Sequence, residues 1–345
     1  HKPMKEDYLN SLTRRIKNGE NIDYILLMDA INKATVYRLI RTWKAIRMIS
    51  VPERIFAIRN GKTWVGDAKN PLKGITVVKE IESAIIDALG KNIVGKKVYY
   101  PSTIDYALPT SEKSYVGNIP VGTKIPMKNN PIIGVHWTNT EDNKRIDLDL
   151  SFLFNNGSKI GWNARYSYDN KLYYSGDITD APRPNGASEF VKMHKSFRES
   201  GVLYLNFFNS TNFNEPTDFS ILVGDSENMR TDMILEKSED VIAILPSQID
   251  KMETTLGYLK ADEEGEGHTF FLYNGKTRVG NVSKGSELTE KRVRALEAEL
   301  EYSIFLSEVL KRARCEFVDS PEESDIDLSP SALERDTIIK LFEES

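Results

Sequence analysis

The sequence predicts an α+β protein: a central antiparallel β-sandwich flanked by an N-terminal helical and α+β segment and a C-terminal helical segment. Two observations carry this. Between residues 127 and 282, short apolar runs alternate with Gly, Pro, Asn and Asp punctuation, the rhythm of several strands joined by turns. Before residue 52 and after residue 283, apolar residues recur every three or four positions, as helices require.

At 345 residues the chain exceeds the usual single domain, so two or three packed units are expected. The spacing divides it into a helical segment (1–52), a small α/β segment with connector (53–126), the sandwich (127–282), a long helix (283–316) and an acidic, partly disordered tail (317–345). A hydrophobic content of 40% with 28% charged residues fits a globular protein. The net charge of −5 argues against a general nucleic-acid binder. A single cysteine, Cys315, excludes a disulfide framework and a cysteine-based zinc site. No run of about eighteen apolar residues occurs, so no membrane helix and no membrane partner are expected. The opening His-Lys-Pro-Met-Lys lacks the apolar core of a signal peptide, and a first residue other than Met suggests a fragment or a processed chain; the single cysteine fits a reducing cytosol, so a cytoplasmic location is expected.

In the first segment Leu9, Leu12 and Ile16, then Leu26 and Ile31, then Leu39, Ile40, Trp43 and Ile46 mark three helices, with a basic face from Arg38 to Arg47. Arg54 to Val65 predicts a hairpin around Asn60-Gly61, both of whose residues tolerate positive φ. Ile75 to Leu89 reads as an amphipathic helix, Lys97 to Tyr100 as a strand, and Tyr100 to Met127 as a connector with short extended pieces. The Gly61-Lys62-Thr63 tripeptide lacks the glycine that a phosphate loop needs five positions earlier, where Phe56 stands.

Sandwich strands are predicted at Ile132–Trp137, Asp147–Phe154, Ile160–Tyr168, Tyr173–Tyr174, Phe190–Met193, Val202–Asn209 and Phe219–Val223. Met233–Leu245 and Thr269–Val279 would add edge strands, with a helical or irregular piece from Gln248 to Tyr258. Within Arg145 to Val191 lies the richest chemistry. Ile146, Leu148 and Leu150 alternate with Asp147 and Asp149, so both carboxylates leave the strand on one side. The loop that follows offers Asp177, Asp180 and Glu189. Oxygen ligands with no Cys or His nearby suit a hard cation, and a flexible loop facing a strand favours calcium, which tolerates loose geometry, over magnesium. The same spacing also fits a solvated strand face followed by an acidic loop.

Ile146-Asp-Leu-Asp-Leu-Ser, Tyr174-Ser-Gly-Asp-Ile-Thr-Asp-Ala-Pro and Gly186-Ala-Ser-Glu-Phe-Val resemble the TerD-like tellurium-resistance and stress-response family, above all its long multidomain bacterial members. The resemblance implies a calcium-binding β-sandwich without catalytic activity. It places Asp147, Asp149, Asp177, Asp180 and Glu189 on the family's acidic motifs. Shorter members carry a denser acidic run where this chain reads Ala181-Pro-Arg-Pro-Asn, and Arg183 brings in a positive charge; one calcium site is expected rather than two.

Beyond the sandwich, Ser286 to Arg314 reads as the longest helix, with Val293, Leu296, Leu300, Ile304 and Leu310 on one stripe that could dock or self-associate. Glu316 to Ser329 is acidic and poor in large apolar residues, hence expected to lack structure. Of the four histidines (His1, His136, His194, His268), none stands in metal-ligand spacing or beside a nucleophile elbow, and His136 is expected to be packed. No enzyme activity is expected. The resemblance implies a non-enzymatic binding or scaffold module in a bacterial or phage-associated stress or defence response, with protein partners. The alternatives are a metal-free sandwich of a virion or large assembly, and an accessory domain of a nucleic-acid-processing system.

Overall fold

The structure, a computed structural model, describes residues 7–57, 63–67, 76–212, 215–229, 238–250, 252–262, 267–275 and 287–343. Three helices open it: α1 (Tyr8–Lys17), α2 (Tyr24–Asn32) and α3 (Val36–Arg47). Asp7 caps α1, accepting the Asn10 N–H at 3.1 Å, and Asp23 caps α2 through the N–H groups of Ile25 and Leu26. Their apolar stripes, Leu9, Leu12, Leu27, Leu39 and Trp43 among them, are buried. The basic face of α3 turns largely inward to partners: Arg38 pairs with Asp7, Lys44 with Glu299, and Arg47 with Glu82 and Glu308.

Strands β1 (Glu53–Ala57) and β2 (Thr63–Asp67) pair antiparallel, closing at Ala57 and Thr63; the Asn60-Gly61 turn lies outside the described residues. Next come α4 (Thr76–Gly90), β3 (Lys97–Tyr99) and the small hairpin β4 (Tyr115–Val116) with β5 (Ile119–Pro120). The sandwich follows: β6 (Lys124–Met127), β7 (Asn130–Trp137), β8 (Leu148–Phe154), β9 (Lys159–Gly161), β10 (Ser167–Tyr168), β11 (Leu172–Tyr174), β12 (Ala187–Met193), β13 (Gly201–Phe207), β14 (Thr217–Ser226), β15 (Val241–Ile249), β16 (Glu253–Ala261) and β17 (His268–Gly275). One sheet has the order β10-β11-β12-β7-β14-β15, the other β6-β17-β16-β13-β8-β9, and every pairing in both is antiparallel.

The inner faces meet in one core. Ile133, Val135 and Trp137 of β7 lie with Leu148, Leu150, Phe152 and Phe154 of β8 and Leu203 and Leu205 of β13. Alternation sends the remaining residues of β8 and β13 outward, where Leu153, Val202 and Tyr204 join a second apolar layer under α5 (Glu287–Glu301) through Val293, Leu296 and Leu300. The second sheet is therefore covered on both faces, which explains why β8 reads as an unbroken buried run.

Four expectations need correction. Residues 160–168 do not form one strand: Gly161 adopts φ +143°, ending β9, and an added Cβ there would collide with Ser151 Oγ. Gln248 to Tyr258 is not helical; β15 runs to Ile249 and β16 begins at Glu253, because Thr254, Leu256 and Tyr258 face buried positions on a central strand. The expected Met233–Leu245 strand starts only at Val241 among the described residues. The long helix is broken: α5 ends at Glu301 and α6 (Leu306–Arg312) begins after an extended Ile304-Phe305. That backbone pairs with the connector instead, with Leu108 N–H donating to Ile304 O and Leu306 N–H to Tyr106 O. Tertiary hydrogen bonding overrides the helical stripe.

The acidic segment after residue 316 also departs from the expectation of disorder. Strands β18 (Glu316–Val318) and β19 (Ile326–Asp327) flank β3 on either side in a parallel three-stranded sheet, and α7 (Thr337–Lys340) follows with Ile338 and Ile339 buried. Few large apolar residues suffice here, because the segment borrows the existing edges of β3. Among the described residues no helix is long and apolar enough to cross a membrane.

Candidate metal centre

At the start of β8 the chain enters the sandwich through Arg145, Ile146 and Asp147. Trp137 fixes this entry, its indole N–H donating to Ile146 O at 2.9 Å. Asn139 holds it from the other side: its carbonyl oxygen accepts from Ile146 N–H (3.1 Å) and Ala181 N–H (3.2 Å), tying the start of β8 to the loop between β11 and β12. Asn209 adds a third support, accepting from Asp147 N–H at 3.2 Å and donating to Arg145 O at 2.8 Å.

On this frame Asp147, Asp149 and Asp177 converge, each offering a carboxylate oxygen within 4.8 Å of the others. Asp147 and Asp149 are buried (4% and 3% exposed) and Asp177 is exposed. The period-two pattern at the entry to β8 therefore delivers Asp147 and Asp149 to one place, and the loop brings the third. Asp147 Oδ2 receives Arg145 Nη2 at 2.9 Å, but its Oδ1 has no hydrogen-bond partner, and neither has Asp149 Oδ2.

Electrostatics follow from that crowding. Burial, then the charges of Asp147, Glu189 and Asp177, push the Asp149 carboxyl up to about 8. Burial raises Asp147 as well, against the pull of the Arg145 guanidinium. Protonation or a bound cation would relieve both.

Glu189 and Asp180 take different parts. Glu189 is fully buried, and its oxygens are occupied: Oε2 accepts from Leu150 N–H (2.7 Å) and the Tyr174 hydroxyl (2.6 Å), Oε1 from Ile178 N–H (2.9 Å). Its donors neighbour Asp149 on the strand and Asp177 on the loop, so Glu189 holds those two segments together. Burial lifts its carboxyl to about 7 despite these donors. Asp180 lies outside the three-carboxylate cluster; its Oδ1 accepts Asn139 Nδ2 at 2.8 Å. Arg183 turns away, its Nε donating to Asn139 O at 2.9 Å.

Sequence reasoning missed Arg145, Asn139 and Asn209. Asn139 could have been suspected as a small amide just past a strand whose partner strand must be tied down; Asn209 carries no comparable signal. The histidines stand elsewhere: His136 is half-buried beside Ser188 Oγ (2.8 Å) rather than packed in the core, and His194 meets Ser196 Oγ at 2.7 Å.

Three carboxylates on two segments, two of them buried with orphaned oxygens, fit an oxygen-liganded divalent cation. Asp147, Asp149 and Asp177 would hold it, and backbone carbonyls or water would complete its shell.

No family model and no curated protein matches the chain. Among solved structures it is similar to a protein of unknown function, SAV2460, at 14% identity over 43% of this chain and 89% of that one, with a TM-score of 0.31. It is also similar to a homologue of the telluride resistance protein TerD, SCO6318 from Streptomyces coelicolor, at 9% identity over 46% of this chain and 92% of that one, with a TM-score of 0.32.

Proposed function

We propose that this chain is a calcium-binding β-sandwich protein of TerD-like type. It acts without catalysis, as a binding or scaffold module for protein partners in a bacterial or phage-associated stress response. The observation that carries the metal reading is the pair of buried carboxylate oxygens, Asp147 Oδ1 and Asp149 Oδ2, left without partners beside Asp177. A buried charge without a partner costs several kcal/mol, and a cation turns that cost into attraction. Calcium suits the site better than magnesium because one ligand comes from an exposed loop and the geometry need not be octahedral. The stress-response setting rests on the motif resemblance.

Binding the folded state alone, calcium at a hundred times its dissociation constant would stabilise the fold by about 2.7 kcal/mol. Melting curves of the stripped protein with calcium, with magnesium and with chelator test this. Calcium is expected to raise the melting temperature, and the double change Asp149→Ala with Asp177→Ala to abolish the rise. An undiminished rise in the double variant discards these ligands.

A further inference from the structure

The hairpin of β10 and β11 and the loop 194–199, which leads from β12 toward β13, line a cavity of about 400 Å³. Both walls are firmly built. Asp169 and Asn170 adopt φ +49° and +50°, the left-handed pair of a tight hairpin turn, and Lys171 N–H closes it on Tyr168 O at 3.1 Å. His194 N–H donates to Lys171 O at 2.7 Å, tying loop to hairpin. Tyr168 and Phe197, which both line the cavity, meet edge-on with ring centroids 6.1 Å apart, and Phe197 is buried.

Five ionised side chains also line it: Arg165, Lys171 and Arg198 against Asp169 and Glu199. His194 and Lys195 of the same loop do not, so the lining carries one more cation than carboxylate. Neighbouring charges of opposite sign ordinarily pair off, yet among the described residues none of these five forms an ion pair. Lys171 and Glu199 stay apart although both are half-buried. Arg198 is held by the backbone: its Nη1 donates to Lys195 O (3.1 Å) and Phe197 O (3.3 Å), which leaves its Nε and Nη2 hydrogens open. The side chains of Arg165 and Lys171 make no hydrogen bond among the described residues.

We propose that this cavity binds a free α-amino acid as its zwitterion. The carboxylate would lie against Arg165, Lys171 and the open N–H groups of Arg198, since a guanidinium fork matches two carboxylate oxygens. The ammonium, a donor only, would lie against Asp169 and Glu199. A ligand with both signs is complementary to the whole lining. A bare anion such as phosphate faces two carboxylates and a bare cation faces three cations, and like charges set face to face oppose binding. The volume lies in the range of small-ligand sites. The cavity shares no residue with the carboxylate cluster and stands independently of the calcium reading.

Calorimetric titration of the full chain with each of the common L-amino acids tests this, with inorganic phosphate as the anion probe. At least one amino acid is expected to bind at millimolar concentration or below. Its N-acetyl and methyl ester derivatives, each stripped of one charge, should bind at least about tenfold more weakly. Arg165→Ala and Glu199→Gln should weaken binding by the same factor and leave the melting temperature unchanged, since neither side chain bonds elsewhere among the described residues. Lys171→Ala is an independent variant with the same expected direction, should either of these disturb the fold. Absence of binding by every amino acid overturns the proposal. So does undiminished binding of the N-acetyl derivative, or phosphate binding tighter than any amino acid, either of which marks an anion site. Wild-type affinity in folded Arg165→Ala or Glu199→Gln overturns it as well.

Discussion

Arg47 and Asp149 are both ionisable groups drawn out of bulk water, and the two regions treat them in opposite ways. At the junction of the helices, Arg47 is saturated: Nε and Nη1 reach Glu82 and Glu308 at 3.1 and 2.9 Å, and Nη2 reaches the second Glu308 oxygen at 2.7 Å. Its guanidinium also lies 5.0 Å from the Trp43 ring centre and reaches Ser303 O at 3.3 Å. At the sandwich end, Asp149 Oδ2 has no partner and two more carboxylates crowd it. The contrast separates two uses of buried charge. A saturated charge fixes how segments meet; an orphaned one waits for a ligand.

The comparison can be broken at its saturated side first. Arg47→Ala strips Glu82 and Glu308 of their shared cation and should cost roughly 4 kcal/mol in urea unfolding. A loss below about 1 kcal/mol would reduce the network to a surface ion pair. Glu189→Gln comes next: the amide nitrogen cannot accept the N–H of Leu150 or Ile178, so about 3 kcal/mol should be lost and calcium affinity should fall as loop and strand part. Unchanged calcium affinity would show that Glu189 does not position the cluster.

His268 sharpens the contrast, being orphaned yet neutral. It is fully buried, stacked on Phe197 at 6.4 Å, and neither ring nitrogen has a hydrogen-bond partner. Burial lowers its pKa from 6.5 to about 4. The unfolded chain then binds the extra proton first, so stability is complete above about 6.5 and falls as pH drops toward 4. Roughly 2 kcal/mol should go between about pH 7 and about pH 5, and His268→Phe should flatten that part of the curve. A wild-type curve without acid loss would remove the histidine from the account.

The last effect carries a change of sign. Asp149 has a raised folded pKa, so its contribution favours the fold at low pH and is lost as pH climbs from the ordinary carboxylate range through about 8. Asp149→Asn should therefore stabilise the metal-free protein at neutral pH, while destabilising it relative to wild type once calcium is added. Destabilisation in chelator as well would mean that the carboxylate is structural.

The sequence made some of this legible and hid the rest for definable reasons. Alternation in Ile146 to Leu150 was enough to place Asp147 and Asp149 together, since strand periodicity is local. Asp177 was reachable only as one acid among several on a loop; choosing it over Asp180 depends on Asn139, whose amide claims Asp180 through a contact 41 positions away. The two-sheet architecture followed from strand rhythm, whereas the break between α5 and α6 did not. There, the Val293-to-Leu310 stripe is intact, and only the edge offered by Tyr106 to Leu108 pulls Ile304 and Phe305 straight. The tail misled for the converse reason: its few apolar residues suit a segment that completes a sheet rather than founding one.

The small sheet built on β3 has a consequence for synthesis. Its middle strand is laid down at Lys97–Tyr99, yet both neighbours come from beyond Cys315, and α4 likewise packs against α6. While a ribosome is still extruding the sandwich, the leading module has an unpaired strand exposed on both sides, a vulnerable template for other chains. Only when residues 316 to 327 emerge can that module close. The module built around β3 and α4 therefore finishes folding only after the sandwich between its parts has been made.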